Sequence, residues 1–284
     1  MSTIIPKVTK LSERVIRILG CNPGPFTLQG TNTYLIGTGK ERILIDTGEK
    51  DNQEYTKLLK TVLTSNQIKL SNIIITHWHD DHIGGLLDVL DLIESPASCK
   101  VYKFKQNERD PSDEKISFEY LKDEQKIKVD GSTTLSVYYT PGHTDDHAVL
   151  LLDEDRTIFS GDCILGEGSA IFEDLRDYMK SLEKISSLEA EIIFPGHGPV
   201  VNKPNEKISE YIKHRLTREN QIIDCIKSSS SNCGITISQI VSIIYKDTPE
   251  NLLLAAANNV SHHLDKLLKD KVIKSSDQIH YELI

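Results

Sequence analysis

Six consecutive residues hold three histidines and two aspartates: His77, Trp78, His79, Asp80, Asp81 and His82. Imidazole nitrogens and carboxylate oxygens together suit a borderline metal ion, zinc first and manganese or iron less specifically. Ligands this close in sequence do not fill one tetrahedron comfortably. On an extended turn His77 and His79 point one way, while Asp81 and His82 lie far enough along to reach a second ion. The bland alternative is a solvated polar loop. Its flanks argue against that, because a motif is judged by its context. Ile73, Ile74 and Ile75 read as a buried strand. The pair Gly84 and Gly85 lets the chain turn, and Leu86, Leu87, Val89 and Leu90 open a helical pattern. The cluster therefore falls on a loop at the carboxyl end of a strand, where open α/β sheets place their chemistry.

Three later stretches repeat the same plan of apolar run, small-residue turn and ligand type. Residues 137–144 offer His143, residues 157–162 offer Asp162, and residues 191–198 offer His197. Cys163 could add a thiolate, but neighbours along an extended segment point to opposite sides, so it reads as a buried neighbour. His147 has two readings: a substrate-contacting or proton-donating group, and, favoured, a loop-orienting one. Asp46 ends an earlier strand, either capping a turn or orienting the histidine loop from behind.

The positioning elements follow from pattern. Strands are expected at residues 15–19, 31–36 and 43–45, a Pro- and Gly-rich loop at 21–30, and a helix at 55–63 with Leu58, Leu59 and Val62 on one face. Between His82 and His143 the pattern gives one helix, a strand near residues 100–104, a polar stretch at 106–115 and a hairpin through Asp130 and Gly131. Leu175, Tyr178, Met179, Leu182, Ile185 and Leu188 keep helical spacing and read as core. Pro199 and Pro204 close a first domain at residues 1–202. Residues 203–284 then give a long helix, a polar linker at 228–232, helices at 235–245 and from Pro249, and a hairpin from residue 272. Helix, helix, hairpin is similar to a winged helix.

Composition bounds the rest. The 284 residues are ordinary for a globular α/β chain, with 38% hydrophobic and 26% charged. No apolar run approaches a membrane span, so no membrane partner is expected. The start of the chain lacks the apolar stretch of a secretory signal and shows no evident presequence. Five scattered cysteines fit reduced thiols inside a cell. The net charge of −9 does not advertise nucleic-acid binding, and its acidity lies in the first domain. From Lys203 on, 11 Lys and Arg balance 10 Asp and Glu. Lys213, His214, Arg215 and Arg218 cluster on the long helix. They are either a solvated face or, with Arg215 foremost, a phosphate contact at the mouth of the site. Aromatics are sparse at 6%, which argues against strong sequence-independent RNA affinity. Oligomeric state is not legible, and a monomer is compatible with all of this.

The set His77-x-His79-x-Asp81-His82, followed in order by His143, Asp162 and His197, resembles the metallo-β-lactamase superfamily, whose signature is His-x-His-x-Asp-His. That resemblance implies a four-layer αββα fold, here with a small winged-helix-like tail. Residues 22–34, 142–147 and 161–166 look like the animal β-lactamase-like protein 2 family, over nearly the whole chain. That family implies a zinc-dependent endoribonuclease acting on single-stranded RNA in the mitochondrial matrix. Carried over, His77, His79 and His143 would hold one Zn2+, Asp81, His82 and His197 a second, and Asp162 would bridge them. The gap from His82 to His143 is too short for the inserted domain of the large RNA-processing nucleases of this superfamily. A binuclear pair binds a bridging hydroxide whose pKa falls towards ~7, and Asp81 would be both ligand and the group orienting that nucleophile. The same cage serves carbonyls. Fungal acyl-carrier thioesterases resemble residues 27–33 and glyoxalase II shares the metal motif, so thioester hydrolysis is the alternative. A docking module with a structural metal is least compatible, since structural zinc sites are closed.

Overall fold

The computed structural model describes residues 3–93, 96–106, 109–229 and 234–284. Seven strands cross the first sheet in chain order: β1 (Val8–Lys10), β2 (Val15–Leu19), β3 (Asn32–Ile36), β4 (Glu41–Ile45), β5 (Lys69–Ile74), β6 (Lys100–Lys103) and β7 (Phe118–Tyr120). The first four pair antiparallel, and β4 through β7 run parallel. The second sheet takes β8 (Lys126–Asp130), β9 (Thr133–Tyr139), β10 (Ala148–Leu152), β11 (Thr157–Phe159) and β12 (Ile192–Phe194), in the order β12-β11-β10-β9-β8. The helices are α1 (Gln53–Ser65), α2 (Asp80–Ile83), α3 (Leu86–Leu90), α4 (Leu175–Ser187), α5 (Pro204–Ser228), α6 (Ile237–Ile244) and α7 (Leu253–Lys269). A third sheet, β13-β15-β14, joins β13 (Ile235–Thr236), β14 (Ile273–Lys274) and β15 (His280–Leu283).

Strand alternation sorts the apolar side chains into layers. Leu35, Leu44 and Ile73 face outward with α1 residues Tyr55, Leu59 and Val62. Their neighbours Tyr34, Ile36, Ile43, Ile45 and Ile74 face inward, against Leu135, Val137, Leu150 and Phe159 of the second sheet. The far face of that sheet, Val149, Leu151 and Ile158, is covered by Tyr178 and Leu182 of α4 and Ile208 and Tyr211 of α5. Helix, sheet, sheet, helix is the expected four-layer architecture.

The tail is a winged helix whose core joins Ile240, Val260, Leu264 and Tyr281. Ile222, Cys225 and Ile226 at the far end of α5 belong to that core, so one helix serves both units. Several local expectations are corrected. Residues 235–245 are not one helix, because Ile235 and Thr236 pair with Tyr281 and His280 as β13 before α6 begins. A single 3-10 turn (Glu250–Leu252) follows Pro249, and α7 starts only after it. Strand β7 lies just beyond the polar stretch, its Phe118 packed on the outer core. Ser230 to Cys233, within or beside the expected linker, lie outside the described residues. Among the described residues no helix is long and apolar enough to cross a membrane.

Helix α6 starts on a capping box: Thr236 Oγ1 accepts from the Gln239 N–H at 3.3 Å, and Gln239 Oε1 accepts from the Thr236 N–H at 2.8 Å. Thr236→Ala is expected to cost about 1 kcal/mol of stability, read as a lowered urea midpoint with an unchanged slope.

Candidate metal centre

Five of the seven groups in the site sit just beyond the end of a strand. His77 and His79 follow β5, His143 follows β9, Asp162 follows β11 and His197 follows β12. Asp81 and His82 are not on an extended turn as expected. They lie in the single helical turn α2, which swings them back over the sheet. The glycines after them have ordinary negative φ, so turning is not their purpose. A Cβ on Gly85 would stand 2.3 Å from the Thr47 carbonyl. The bare backbone lets α2 dock there, where the Thr47 N–H donates to the His82 carbonyl at 2.8 Å.

The seven side chains named from sequence converge into two adjoining groups, His77, His79, His143 and Asp162 beside Asp81, His82 and His197. In the first, His77 Nε2 and His79 Nδ1 are 2.9 Å apart, and His143 Nε2 lies 3.2 and 3.1 Å from them. In the second, His82 Nε2 and His197 Nε2 are 3.3 Å apart, and Asp81 Oδ2 lies 3.3 and 3.1 Å from them. Asp162 stands between, with Oδ1 3.3 Å from His82 Nε2, and Oδ2 3.2 Å from His197 Nε2 and 3.8 Å from His143 Nε2.

The protons of these rings can be placed from their outer partners. The Ile171 carbonyl can only accept, so His143 Nδ1 donates to it at 2.8 Å and Nε2 is bare. Thr76 Oγ1 spends its one proton on Asp46 Oδ2 at 2.9 Å, so it accepts from His77 Nδ1 at 3.0 Å. His82 Nδ1 faces the same Asp46 oxygen at 2.8 Å. Lone pairs on His77 Nε2 and His143 Nε2 therefore face one another at 3.2 Å, with His79 Nδ1 beside both. Two such lone pairs repel unless a cation, or a proton on His79 Nδ1, lies between them. Tetrahedral ligands ~2.0–2.1 Å from an ion stand roughly 3.3 Å apart, close to these edges. The donor set fits a metal.

Electrostatics agree for the first group. Burial and the neighbouring His82 and His143 push His77 well below the usual imidazole range, and burial with His143 takes His79 down to about 4. Both rings are neutral, as a ligand must be. Burial alone would raise Asp81 and Asp162, but the adjacent His82 and His197 overturn it and hold both carboxyls low. The second group differs: burial opposes charge on His197 and His82, yet Asp162 beside His197 holds that ring up at about 9, and Asp81 and Asp162 hold His82 up as well, so a metal entering there would displace a proton.

Asp46 combines its two expected roles: Oδ1 accepts from the Thr76 N–H at 2.8 Å, and Oδ2 orients His82 directly and His77 through Thr76. It thus steadies one ring of each group. Asp46→Asn is expected to weaken metal binding about 10- to 100-fold, measured by competition with a chromophoric chelator.

His147 takes the favoured loop-orienting role, and the substrate-contact reading of His147 and of Arg215 is corrected. His147 is wholly buried. Its Nε2 accepts the Asp162 N–H at 3.1 Å, so Nδ1 carries the proton and faces Thr140 Oγ1 at 3.0 Å. Neither nitrogen is free for substrate, and the ring fixes the Asp162 turn. Arg215 is buried as well, its Nη2 donating to the Ala170 carbonyl at 2.9 Å and its guanidinium 4.7 Å from the Phe172 ring centroid. Cys163 is buried outside both groups, with burial raising its thiol.

Some working residues escaped the sequence. Thr31 Oγ1 donates to Asp81 Oδ2 at 3.0 Å, and Asn32 Nδ2 holds the Pro195 and Gly198 carbonyls on either side of His197, each at 2.9 Å. Their signal was a run of polar residues at the buried start of a strand. The ligands floor a cleft of about 630 Å³, with Pro25, Phe26, Leu28 and Trp78 on its walls and residues 167–173 along one side. Arg109 stacks 3.9 Å from the Trp78 ring centroid.

Comparison with known proteins gives the following. Residues 26–197 match the family described as the metallo-beta-lactamase superfamily, and residues 236–280 match the beta-lactamase associated winged helix domain. The chain is 49% identical over 280 residues to a Caenorhabditis elegans protein named beta-lactamase-like protein 2 homolog, covering 99% of this chain and 92% of that one. The Drosophila melanogaster protein of the same name is 47% identical over 287 residues, covering 98% and 97%. Among solved structures, a metallo-beta-lactamase family protein from Thermus thermophilus superposes with a TM-score of 0.71 at 19% identity, covering 97% of this chain and 100% of that one, a likeness of fold.

Proposed function

The chain belongs to the metallo-β-lactamase superfamily, and on that premise we propose that it is a two-zinc endoribonuclease cutting phosphodiester bonds of single-stranded RNA. The observation that carries a hydrolytic reading is the joining of seven donors in two touching groups, five of which line an open cleft. Structural metal sites are closed, whereas this floor faces solvent. RNA as the substrate is supported by the resemblance to the β-lactamase-like protein 2 family. Phe26, 75% exposed, adds a π-face at the mouth on which an unstacked base can rest. Resemblance alone supports the mitochondrial matrix as its compartment, which fractionation of cells expressing the full chain checks.

Two bound zinc ions would supply an activated water and offset the negative charge that develops on the electrophile. The chain supplies orientation. Asp81 lines the cleft with one carboxylate oxygen held by Thr31, and we assign it the alignment of the attacking water. His147 holds the Asp162 turn, and Asp46 holds His77 and His82.

Thioester hydrolysis is the second reading, and one observation favours it. The walls include Pro25, Phe26, Leu28, Leu165, Ile171 and Phe172, with Glu167 and Glu173 as charged members. Apolar walls with carboxylates suit an acyl chain better than a phosphate backbone, and Arg215 is not available to phosphate. The deciding experiment offers purified, zinc-loaded protein a labelled unstructured RNA and an acyl thioester, with and without chelator. RNA cut only by the metal-loaded protein supports the nuclease. Intact RNA beside a hydrolysed thioester overturns it.

A further inference from the structure

The loop that leaves Asp162 and runs to α4 does two things at once. Residues 167–173 form one side of the cleft, and the Ile171 carbonyl takes the proton of His143 Nδ1. Its ends are tied to the sheet side: the Gly166 N–H donates to the His197 carbonyl at 2.9 Å, and the Glu173 N–H to the Gly142 carbonyl at 2.7 Å. Its middle is held by the tail instead. From α5, the Tyr211 hydroxyl donates to the Gly168 carbonyl at 2.9 Å, and Arg215 Nη2 donates to the Ala170 carbonyl at 2.9 Å. Phe172 lies between Arg215 and Tyr178, with ring centroids 5.3 Å apart for the second pair, and the edge of His262 from α7 meets it at 5.3 Å. Beyond the loop, Asp174 pairs with Lys269 and Arg176 with Asp270 at 2.7 Å, both across to α7. Ala170 and Phe172 are buried while Ile171 between them is 59% exposed. The two buried neighbours turn the Ile171 side chain out to the cleft, with its carbonyl on His143.

We infer that Arg215, with His262 against the same Phe172 ring, is a positioning residue for the metal centre: α5 and the winged-helix tail brace the loop whose Ile171 carbonyl fixes the His143 ring. The tail then acts on the site through His143 as well as through anything it binds. Arg215 suits the task because a planar guanidinium can stack on Phe172 and donate in its plane to Ala170 at once. A lysine at this place keeps the charge and loses the fork.

The test is metal titration, which needs no substrate, so it is decided whichever electrophile the enzyme uses. It rests on the proposed function only in that a metal fills the cluster. Wild-type protein that takes up neither zinc nor cobalt would sink that reading. Wild-type protein that binds metal beside unaffected variants would sink this one. Arg215→Met is expected to weaken zinc several-fold, up to about 10-fold, in chelator competition, since the Ile171 carbonyl that is the direct outer partner of His143 loses its brace and is not itself removed. The visible spectrum of the cobalt-loaded form should change with it. Arg215→Lys should recover only part of the affinity, and His262→Ala should weaken it in the same direction by less. Lys213→Met, exposed on the same helix, removes equal charge and should leave affinity and spectrum as they were. Unchanged affinity and spectrum in both Arg215 variants overturn the assignment, as does an equal loss in Lys213→Met. If the melting of metal-free Arg215→Met shows a misfolded protein, Arg215→Lys and His262→Ala decide.

Discussion

Asp162→Asn is expected to lose one of two metals per chain and to lower the hydrolytic rate on the order of a thousandfold. Asp162 is the one carboxylate within reach of both groups, its two oxygens facing His82 on one side and His197 and His143 on the other. The amide keeps the shape and the backbone N–H that donates to His147, so the turn should survive. What changes is charge and donor type. One anionic oxygen becomes an NH2 whose hydrogens face ring nitrogens already supplying lone pairs, and a cation that needed the carboxylate has no substitute. A metal is worth several kcal/mol of transition-state stabilisation, and each ~1.4 kcal/mol is tenfold in rate, which gives the expected factor. Elemental analysis of both proteins, with rates on whichever substrate the wild type hydrolyses, checks it. Two metals retained with full activity would remove Asp162 from the centre.

Much of this centre was legible because it is written in local motifs. Each ligand follows a short apolar strand and a tight turn, and a strand end is a place that sequence pattern can find. The outer partners are a different matter. Asp46 could be suspected because it ends a strand. Thr76 could be named only once its single proton was traced to Asp46. The Ile171 carbonyl has no side-chain signature at all, since any residue carries one. Arg215 shows the opposite failure. Clustered with Lys213, His214 and Arg218 it reads as a basic face, and only the packing on Phe172 and the reach to Ala170 separate it from its neighbours. The fold was legible where periodicity ran for five or more residues, as in β2 and α4. It was not at β13, where two residues pair with β15 and the partner lies over forty positions away. The helical turn α2 hid for a similar reason: four residues carry no period, and the metal motif itself supplied their polar side chains.

Lys103→Met is expected to destabilise the protein by about 3–5 kcal/mol, the cost of leaving a buried charge without its partner. Lys103 is wholly buried in β6, between β5 and β7, with Nζ donating to the Phe104 carbonyl at 2.7 Å, 3.0 Å from Asp146 Oδ2 and paired to Asp110. Asp146 in turn joins the two ligand loops, since its Oδ1 accepts from the Trp78 N–H at 3.3 Å and from Thr144 Oγ1 at 2.9 Å. Burial raises the Asp146 carboxyl above its ordinary range and Lys103 opposes that rise, so removing the cation raises it further. The sign of the pH dependence follows. A carboxyl whose folded pKa exceeds its unfolded value of ~3.9 holds more protons when folded, so its contribution to stability falls as pH climbs through that interval. The deficit of Lys103→Met relative to wild type should therefore be smallest near pH 4–5 and grow towards neutrality. Adding Asp146→Asn to Lys103→Met should recover much of the loss, because the orphaned charge is gone while the amide oxygen still accepts from Trp78 and Thr144. Urea unfolding of the four proteins of this cycle at two pH values measures both effects. A deficit that is flat with pH and untouched by Asp146→Asn would mean that Lys103 acts through Asp110 and the packing of its own stem, and that the two ligand loops hold together without it.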